Sequence, residues 1–184
     1  MPAETLEDPY NTLDPRQSIT PEQGVLAKGP ADAVASVLAG RQFQALATVP
    51  RLAQRGAFVV AMYDTILHRQ ALVARLRQQV APQPLFEFTV TPLRPDVHEY
   101  LTQMTPQQQQ ERAVICIYDI ECVWPDAARY LDRQRDVLAA YPHTLVLWIE
   151  RYTRAPLAQA APNFFSRHSG VFDLCLPTET PTIP

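Results

Sequence analysis

Asp119 and Glu121 follow an apolar run, Ala113-Val114-Ile115-Cys116-Ile117-Tyr118, and by type and spacing they are the residues best placed to do chemistry. A buried strand that ends in carboxylates is how nucleotide hydrolases hold a metal ion and a water. On that reading Asp119 holds a cation through water and Glu121 polarises a nucleophile. The alternative is that both carboxylates are solvated or cap the following loop. Tyr63 and Asp64 end a second apolar run and Arg151 follows a third, so all five would border one strand-end crevice. Arg151 could meet an anion there.

A nucleotide hydrolase also needs a phosphate cradle, built from glycines whose amides wrap the phosphates and a lysine that meets their charge. The segment in that position is Met62-Tyr63-Asp64-Thr65-Ile66-Leu67-His68-Arg69-Gln70. The chain has five glycines, none between Gly56 and Gly170, and its only lysine, Lys28, lies far upstream. Asp64 would repel a phosphate placed beside it. Triphosphate binding in the usual manner is therefore not expected.

Cysteine chemistry is the other enzymatic option. Cys122 lies just past a strand end, and His68 or His143 could approach it from another loop as a base. No local signature of a cysteine hydrolase surrounds it. Cys116 and Cys175 sit in apolar runs and read as buried packing residues. His68, His98, His143 and His168 are scattered, with no pair four residues apart on one helix, so neither metal nor cofactor is expected.

Composition narrows the class. A chain of 184 residues that is 47% hydrophobic and 19% charged suits one globular domain. The net charge of -3 gives no basic footprint for nucleic acid. No apolar run is long enough to span a membrane, and the acidic start does not read as a secretory signal, so a cytoplasmic protein is expected.

The elements that must position these residues alternate in period. Apolar runs at residues 57–62, 85–90, 113–118, 144–148 and 171–176 read as strands. Between them, helices are expected over 65–80, 96–104, 125–141 and 157–167, the last broken at Pro162. In the first of these, Ile66, Leu72, Val73 and Leu76 face inward, while Arg69, Arg75, Arg77 and Gln78 face water. In the helix after Pro125, Ala127, Ala128, Leu131 and Leu138 face inward, with Arg129, Asp132, Arg133 and Asp136 outside. Two short helices, the second interrupted near Pro50, precede the first strand. The pattern predicts a three-layer α/β domain over 31–176 with about five mainly parallel strands. A proline-rich arm precedes it over 1–30, and a tail of eight residues, 177–184, follows it.

Two stretches carry a family resemblance. Pro142-His143-Thr144-Leu145-Val146-Leu147-Trp148 and Ala161-Pro162-Asn163-Phe164-Phe165-Ser166-Arg167-His168-Ser169-Gly170-Val171-Phe172 resemble the end of a bacterial domain of the STAND, AAA-related, NTPase group in its inactive form. The usual closing motif is Ala-Pro-Asp-Phe-Trp-x-Trp-Arg-Ser-Gly-Val-Phe. Here Asn163 replaces the acid, Phe165 and Arg167 the two tryptophans, and His168 the arginine. The resemblance covers roughly residues 57–176. It implies a degenerate P-loop NTPase-like (Rossmannoid) sheet of the AAA-type strand order, with the acidic strand end near the former hydrolysis position and the phosphate loop lost.

It further implies a non-catalytic regulatory or adaptor module in a bacterial defence or signalling system. The partner would be another protein, such as an effector, protease or regulator, with no nucleic acid and no membrane. Trp124, Phe165, Arg167 and His168 are the candidate interaction surface, although the aromatic residues of the closing motif also suit core packing, with Gly170 allowing a turn. Trp148 and Tyr152 suit either a protein contact or burial. The competing readings are a divergent hydrolase using Asp119 and Glu121, a cysteine hydrolase using Cys122, and a nucleotide sensor that binds without cleaving.

Overall fold

The computed structural model describes residues 29–176, so nearly all of the expected arm and the whole tail lie outside the described residues. Five strands form one sheet: β1 (Ala57–Tyr63), β2 (Leu85–Thr89), β3 (Val114–Tyr118), β4 (Thr144–Glu150) and β5 (Gly170–Asp173). Their order is β2-β3-β4-β1-β5, and every pairing is parallel. The register of the central pair runs from Ala57 opposite Thr144 to Tyr63 opposite Glu150. Every residue of β1 and β3 is buried, as their unbroken apolar runs require of strands covered on both faces. The edge strand β2 is only partly buried and carries Glu87 outward.

Eight helices complete the described residues: α1 (Pro30–Ala39), α2 (Arg41–Leu52), α3 (Ile66–Val80), α4 (Val97–Thr102), α5 (Pro106–Gln110), α6 (Asp126–Leu138), α7 (Arg154–Ala160) and α8 (Pro162–Ser166). Because side chains alternate across a strand, the sheet has two cores. Val59, Ala61 and Tyr63 meet Phe43 and Leu46 of α2 and Leu72 and Leu76 of α3. Phe58, Val60 and Met62 meet Leu131 and Leu138 of α6, Leu157 of α7 and Phe164 of α8. The three-layer α/β expectation is met, and the sheet is wholly parallel. No described helix is long and apolar enough to cross a membrane.

Several local expectations need correction. The second helix is not interrupted at Pro50: α2 runs past it to Leu52, and the Pro50 carbonyl accepts a bond from Arg112 Nη2 at 2.8 Å. The last strand stops at Asp173, because beyond Met62 and Tyr63 its partner β1 has ended. In α3, Leu72, Val73 and Leu76 are buried and Arg75, Arg77 and Gln78 exposed as expected, but Ile66 is exposed and Arg69 buried, each against its expected face. Asp132 is not simply solvated either: it accepts bonds from the Phe164 N–H (2.8 Å) and the Asn163 side chain (2.9 Å), tying α6 to the start of α8. Partial burial works against that carboxylate, but these bonds outweigh it and hold its pKa below the usual range. Gly170 does not serve a turn: a Cβ there would come within 2.7 Å of the Phe172 ring, so close packing is what requires glycine. Gly56 is more constrained, since a Cβ would lie 2.4 Å from the Tyr141 carbonyl.

Two buried histidines make this core sensitive to acid. His68 (3% exposed) and His143 (0%) have ring nitrogens with no hydrogen-bond partner among the described residues. Burial lowers both from the ordinary value of 6.5, with Asp64 offsetting part of the effect at His68. Below pH 6.5 the unfolded chain takes up protons that the folded protein resists, so stability falls with pH until the folded-state values are reached. The urea midpoint should be lower at pH 5.5 than at pH 7.5. His143→Gln should flatten the dependence; an equally steep one would place the titration elsewhere.

Candidate functional site

The carboxyl ends of the strands share one edge of the sheet, the usual position for ligands in open parallel sheets. At this edge β1 passes into α3 through only Asp64 and Thr65. Thr65 is the N-cap, its hydroxyl accepting the His68 N–H at 3.2 Å. The first turn of α3 thus follows the strand directly, and its second turn carries Arg69 into the crevice.

Arg69 is the residue around which the crevice is built. It is only 8% exposed. Its Nη1 donates to Asp119 Oδ1 at 2.6 Å and to the Tyr63 hydroxyl at 3.1 Å. The guanidinium carbon also lies 4.4 Å from the Tyr118 ring centroid and 5.1 Å from that of Tyr63, within cation–π range. Asp119 meets it from a left-handed backbone conformation (φ 60°, ψ 35°), which aspartate tolerates better than most residues. Burial pushes the Tyr63 phenol up to about 12, with Arg69 opposing, so Tyr63 keeps its proton at neutral pH. The network continues outward, as the Tyr118 hydroxyl donates to Glu87 Oε2 at 2.8 Å and Glu87 pairs with Arg77. A cavity of about 350 Å³ lies over this row, lined by Arg69, Gln70, Arg77, Glu87, Thr89 and Tyr118 among others.

The other crevice residues are also engaged. Glu121 lies in a single 3-10 turn, Ile120–Val123, and its Oε1 accepts the Glu150 N–H (3.2 Å) and the Thr153 hydroxyl (2.9 Å). It fastens the end of β3 to the end of β4. Asp64 accepts the Leu176 N–H and stands 3.8 Å from the His68 ring nitrogen. Arg151 pairs with Asp173 at 3.2 Å, and Asp173 also accepts the Cys175 N–H. The predicted crevice is therefore two clusters: Tyr63, Asp119 and Arg69 in one, Asp64, Arg151 and Asp173 in the other, with Glu121 bridging β3 to β4. Cys175 belongs to the second, where burial chiefly, with Asp173 and Asp64, pushes its thiol up to about 12.

The cysteine-hydrolase constellation is not assembled. Cys122 is exposed at the carboxyl edge, beside α6. His143 precedes β4 at the opposite edge, roughly 20 Å away across seven strand residues. His68 lies in α3, on the other face of the sheet. Among the described residues, no three of His, Cys, Asp and Glu gather as metal ligands.

The candidate interaction residues do not share a surface. Trp124 is half-buried at the carboxyl edge, where it lines an apolar groove of about 250 Å³ with Tyr152, Thr153, Pro156 and Glu121. Tyr152 is 69% exposed. Phe165, Arg167 and His168 lie near the amino end of β1. Phe165 packs partly against the core, Arg167 pairs with Asp136 at 2.7 Å, and the His168 ring meets the Phe165 carbonyl. Trp148 is wholly buried and available to no partner.

No family model matches the chain, and no curated protein matches it. Solved structures do. The Aeropyrum pernix ORC2 protein, in ADPNP and ADP complexes, aligns over 73% of this chain and 46% of its own at 13% identity, with a TM-score of 0.52. The fold is P-loop NTPase-like. A DNA polymerase III gamma subunit-related protein from Thermotoga maritima aligns over 76% of this chain and 47% of its own (13% identity, TM-score 0.42). Drosophila ORC bound to GC-rich DNA and Cdc6 aligns over 88% and 65% (11% identity, TM-score 0.46). The chain spans about half the length of the first two. At these identities the likeness concerns the P-loop NTPase-like fold alone.

Sequence reasoning missed Arg69, which its charge assigned to water. The spacing did hold a signal: Arg69 stands three residues before Leu72 and seven before Leu76, on the stripe that α3 buries. Beside it, tyrosines at the ends of two neighbouring apolar runs, Tyr63 and Tyr118, are what a buried guanidinium would need.

Proposed function

We propose that this chain is a non-catalytic, protein-binding regulatory module on a P-loop NTPase-like frame, of the inactive STAND type, serving a bacterial defence or signalling system. The observation that carries this reading is the Arg69–Asp119 pair. The carboxylate best placed to hold a metal ion is held by a guanidinium of the same chain at 2.6 Å. Glu121, the candidate water-polarising group, has an oxygen taken up in joining β3 to β4. The two-residue link before α3 carries no glycine and places no lysine. A magnesium triphosphate would have to displace the arginine and rebuild the start of α3.

Protein contact is the remaining use of this edge. The loops after β2, β3 and β4 expose Leu93, half-exposed Trp124 and Tyr152, and the start of α3 exposes Ile66 and Leu67. Aromatic residues flanked by apolar ones at a partly desolvated groove are the composition of protein-interaction hot spots.

Thermal denaturation with ATP, ADP and GTP, each with magnesium, tests the reading. A ligand that binds only the folded form raises the melting temperature by mass action. The expected result is a melting temperature that no nucleotide moves. Stabilisation that rises with ATP concentration would replace this reading with a nucleotide sensor, for which the cavity between Arg69 and Arg77 is the site to probe.

A further inference from the structure

Arg69 is nine-tenths buried, yet most of its hydrogen-bonding capacity is uncommitted. A guanidinium carries five N–H groups in a rigid fork. Arg69 uses only those of Nη1, one toward Asp119 and one toward the Tyr63 hydroxyl. Tyr118 and Tyr63 stand against the guanidinium within cation–π range. Its remaining edge, Nε and Nη2, has no partner among the described residues, and these nitrogens are not sealed from solvent as the ring nitrogens of His68 and His143 are. Buried donors are normally satisfied, so such an edge calls for an acceptor.

The cavity of about 350 Å³ that Arg69 lines is shaped to admit one. It is a trough between α3 and the edge strand β2. Gln70, Val73, Ala74 and Arg77 recur at helical spacing along one wall, and Glu87, Thr89 and Tyr118 form the floor. Glu87 and Thr89 point to the α3 side of the sheet because they alternate with Leu85, which is buried there. The far end is closed by Arg77, whose guanidinium is already spent on the Leu85 carbonyl and Glu87. Gln70 and Thr89 offer further donors that engage no described residue.

The free Nε–Nη2 edge is the fork that a carboxylate meets with two parallel bonds. Charge limits the ligand further. Arg69 and Arg77 are matched by Asp119 and Glu87, so a single negative charge is accommodated while a polyanion is repelled. We infer that the trough between α3 and β2 binds a small monocarboxylic acid, its carboxylate on the Nε–Nη2 edge of Arg69 and its apolar body along Val73 and Ala74. This goes beyond the protein-binding reading and does not rest on it, since the acid can bind whether or not the aromatic groove recruits a partner.

The experiment uses the full chain labelled with nitrogen-15 and follows the arginine Nε–H resonances. That of Arg69 is assigned by its Overhauser contacts with the Tyr63 and Tyr118 rings. Sodium benzoate should move it saturably. Benzamide, the neutral counterpart, and inorganic phosphate at matched ionic strength should leave it in place. Ala74→Phe fills the trough from an exposed helical position without touching the Arg69–Asp119 pair. In that variant the benzoate response should be lost while the Arg69–Tyr118 Overhauser contact persists. An Arg69 resonance that benzoate does not move overturns the inference. Equal shifts with benzamide or phosphate overturn the assignment to a carboxylate, and a benzoate response that survives Ala74→Phe overturns the trough as its site.

Discussion

Trp148→Ala is expected to cost about 3–5 kcal/mol of unfolding free energy, the range for truncating a fully buried large aromatic residue. Trp148 is completely excluded from solvent in β4, which pairs with β3 on one side and β1 on the other. It lies opposite Ala61 of β1, and its cluster includes residues of α2 and α3 such as Phe43, Leu46, Leu72 and Leu76. Alanine loses the transfer energy of the indole and leaves a void that a central strand, hydrogen-bonded on both sides, cannot collapse to fill. With a urea slope of about 2 kcal/mol per molar, the midpoint should fall by about 2 M. An unchanged midpoint would place the ring outside the core.

The second large effect belongs to the sealed strand edge. Asp119→Ala removes the acceptor from a nearly buried guanidinium and leaves alanine in the left-handed backbone region. Losing one partner of a buried pair costs about 3–5 kcal/mol, but Asp119 is about one-third exposed, so the lower end applies. Forcing alanine into the left-handed region adds about 1 kcal/mol. The expected loss is therefore about 4 kcal/mol. Asp119→Asn, which tolerates this backbone and keeps an oxygen acceptor, should lose distinctly less. Chemical denaturation of the two variants at neutral pH checks the order. Equal midpoints for Asp119→Ala and the parent would mean that Arg69 does not depend on Asp119, and the case for a sealed edge would fall with it.

The same pair explains how a hydrolase-like strand end can be structural. In an active site a strand-end carboxylate is left short of partners so that a metal or a water can supply them. Here Asp119, Glu121, Asp64 and Asp173 all accept hydrogen bonds from the protein itself. The edge is tied together rather than held open.

By itself the amino-acid sequence determined the layered architecture. The runs that became β1, β3 and β4 are too uniformly apolar to tolerate water on either face, so helices had to cover both. The inward stripe of α6, with Ala127, Ala128, Leu131 and Leu138, was legible for the same reason: burial of apolar area follows helical periodicity. The strand-end location of Tyr63, Asp119, Glu121 and Arg151 was legible too, because a parallel sheet collects all its carboxyl ends on one edge. What those residues do there was decided only in the tertiary structure. Arg69 and Asp119 are 50 positions apart, and whether a charge on a buried stripe turns outward or finds a partner depends on what another strand delivers beside it. The closing motif reads as one continuous stretch with the start of the last strand. Only folding revealed that Phe164 serves the core while Arg167 binds Asp136, and that Trp124 faces the opposite edge. Apolar periodicity is a local property of the chain, whereas the pairing of a buried charge is settled between segments that meet only in three dimensions.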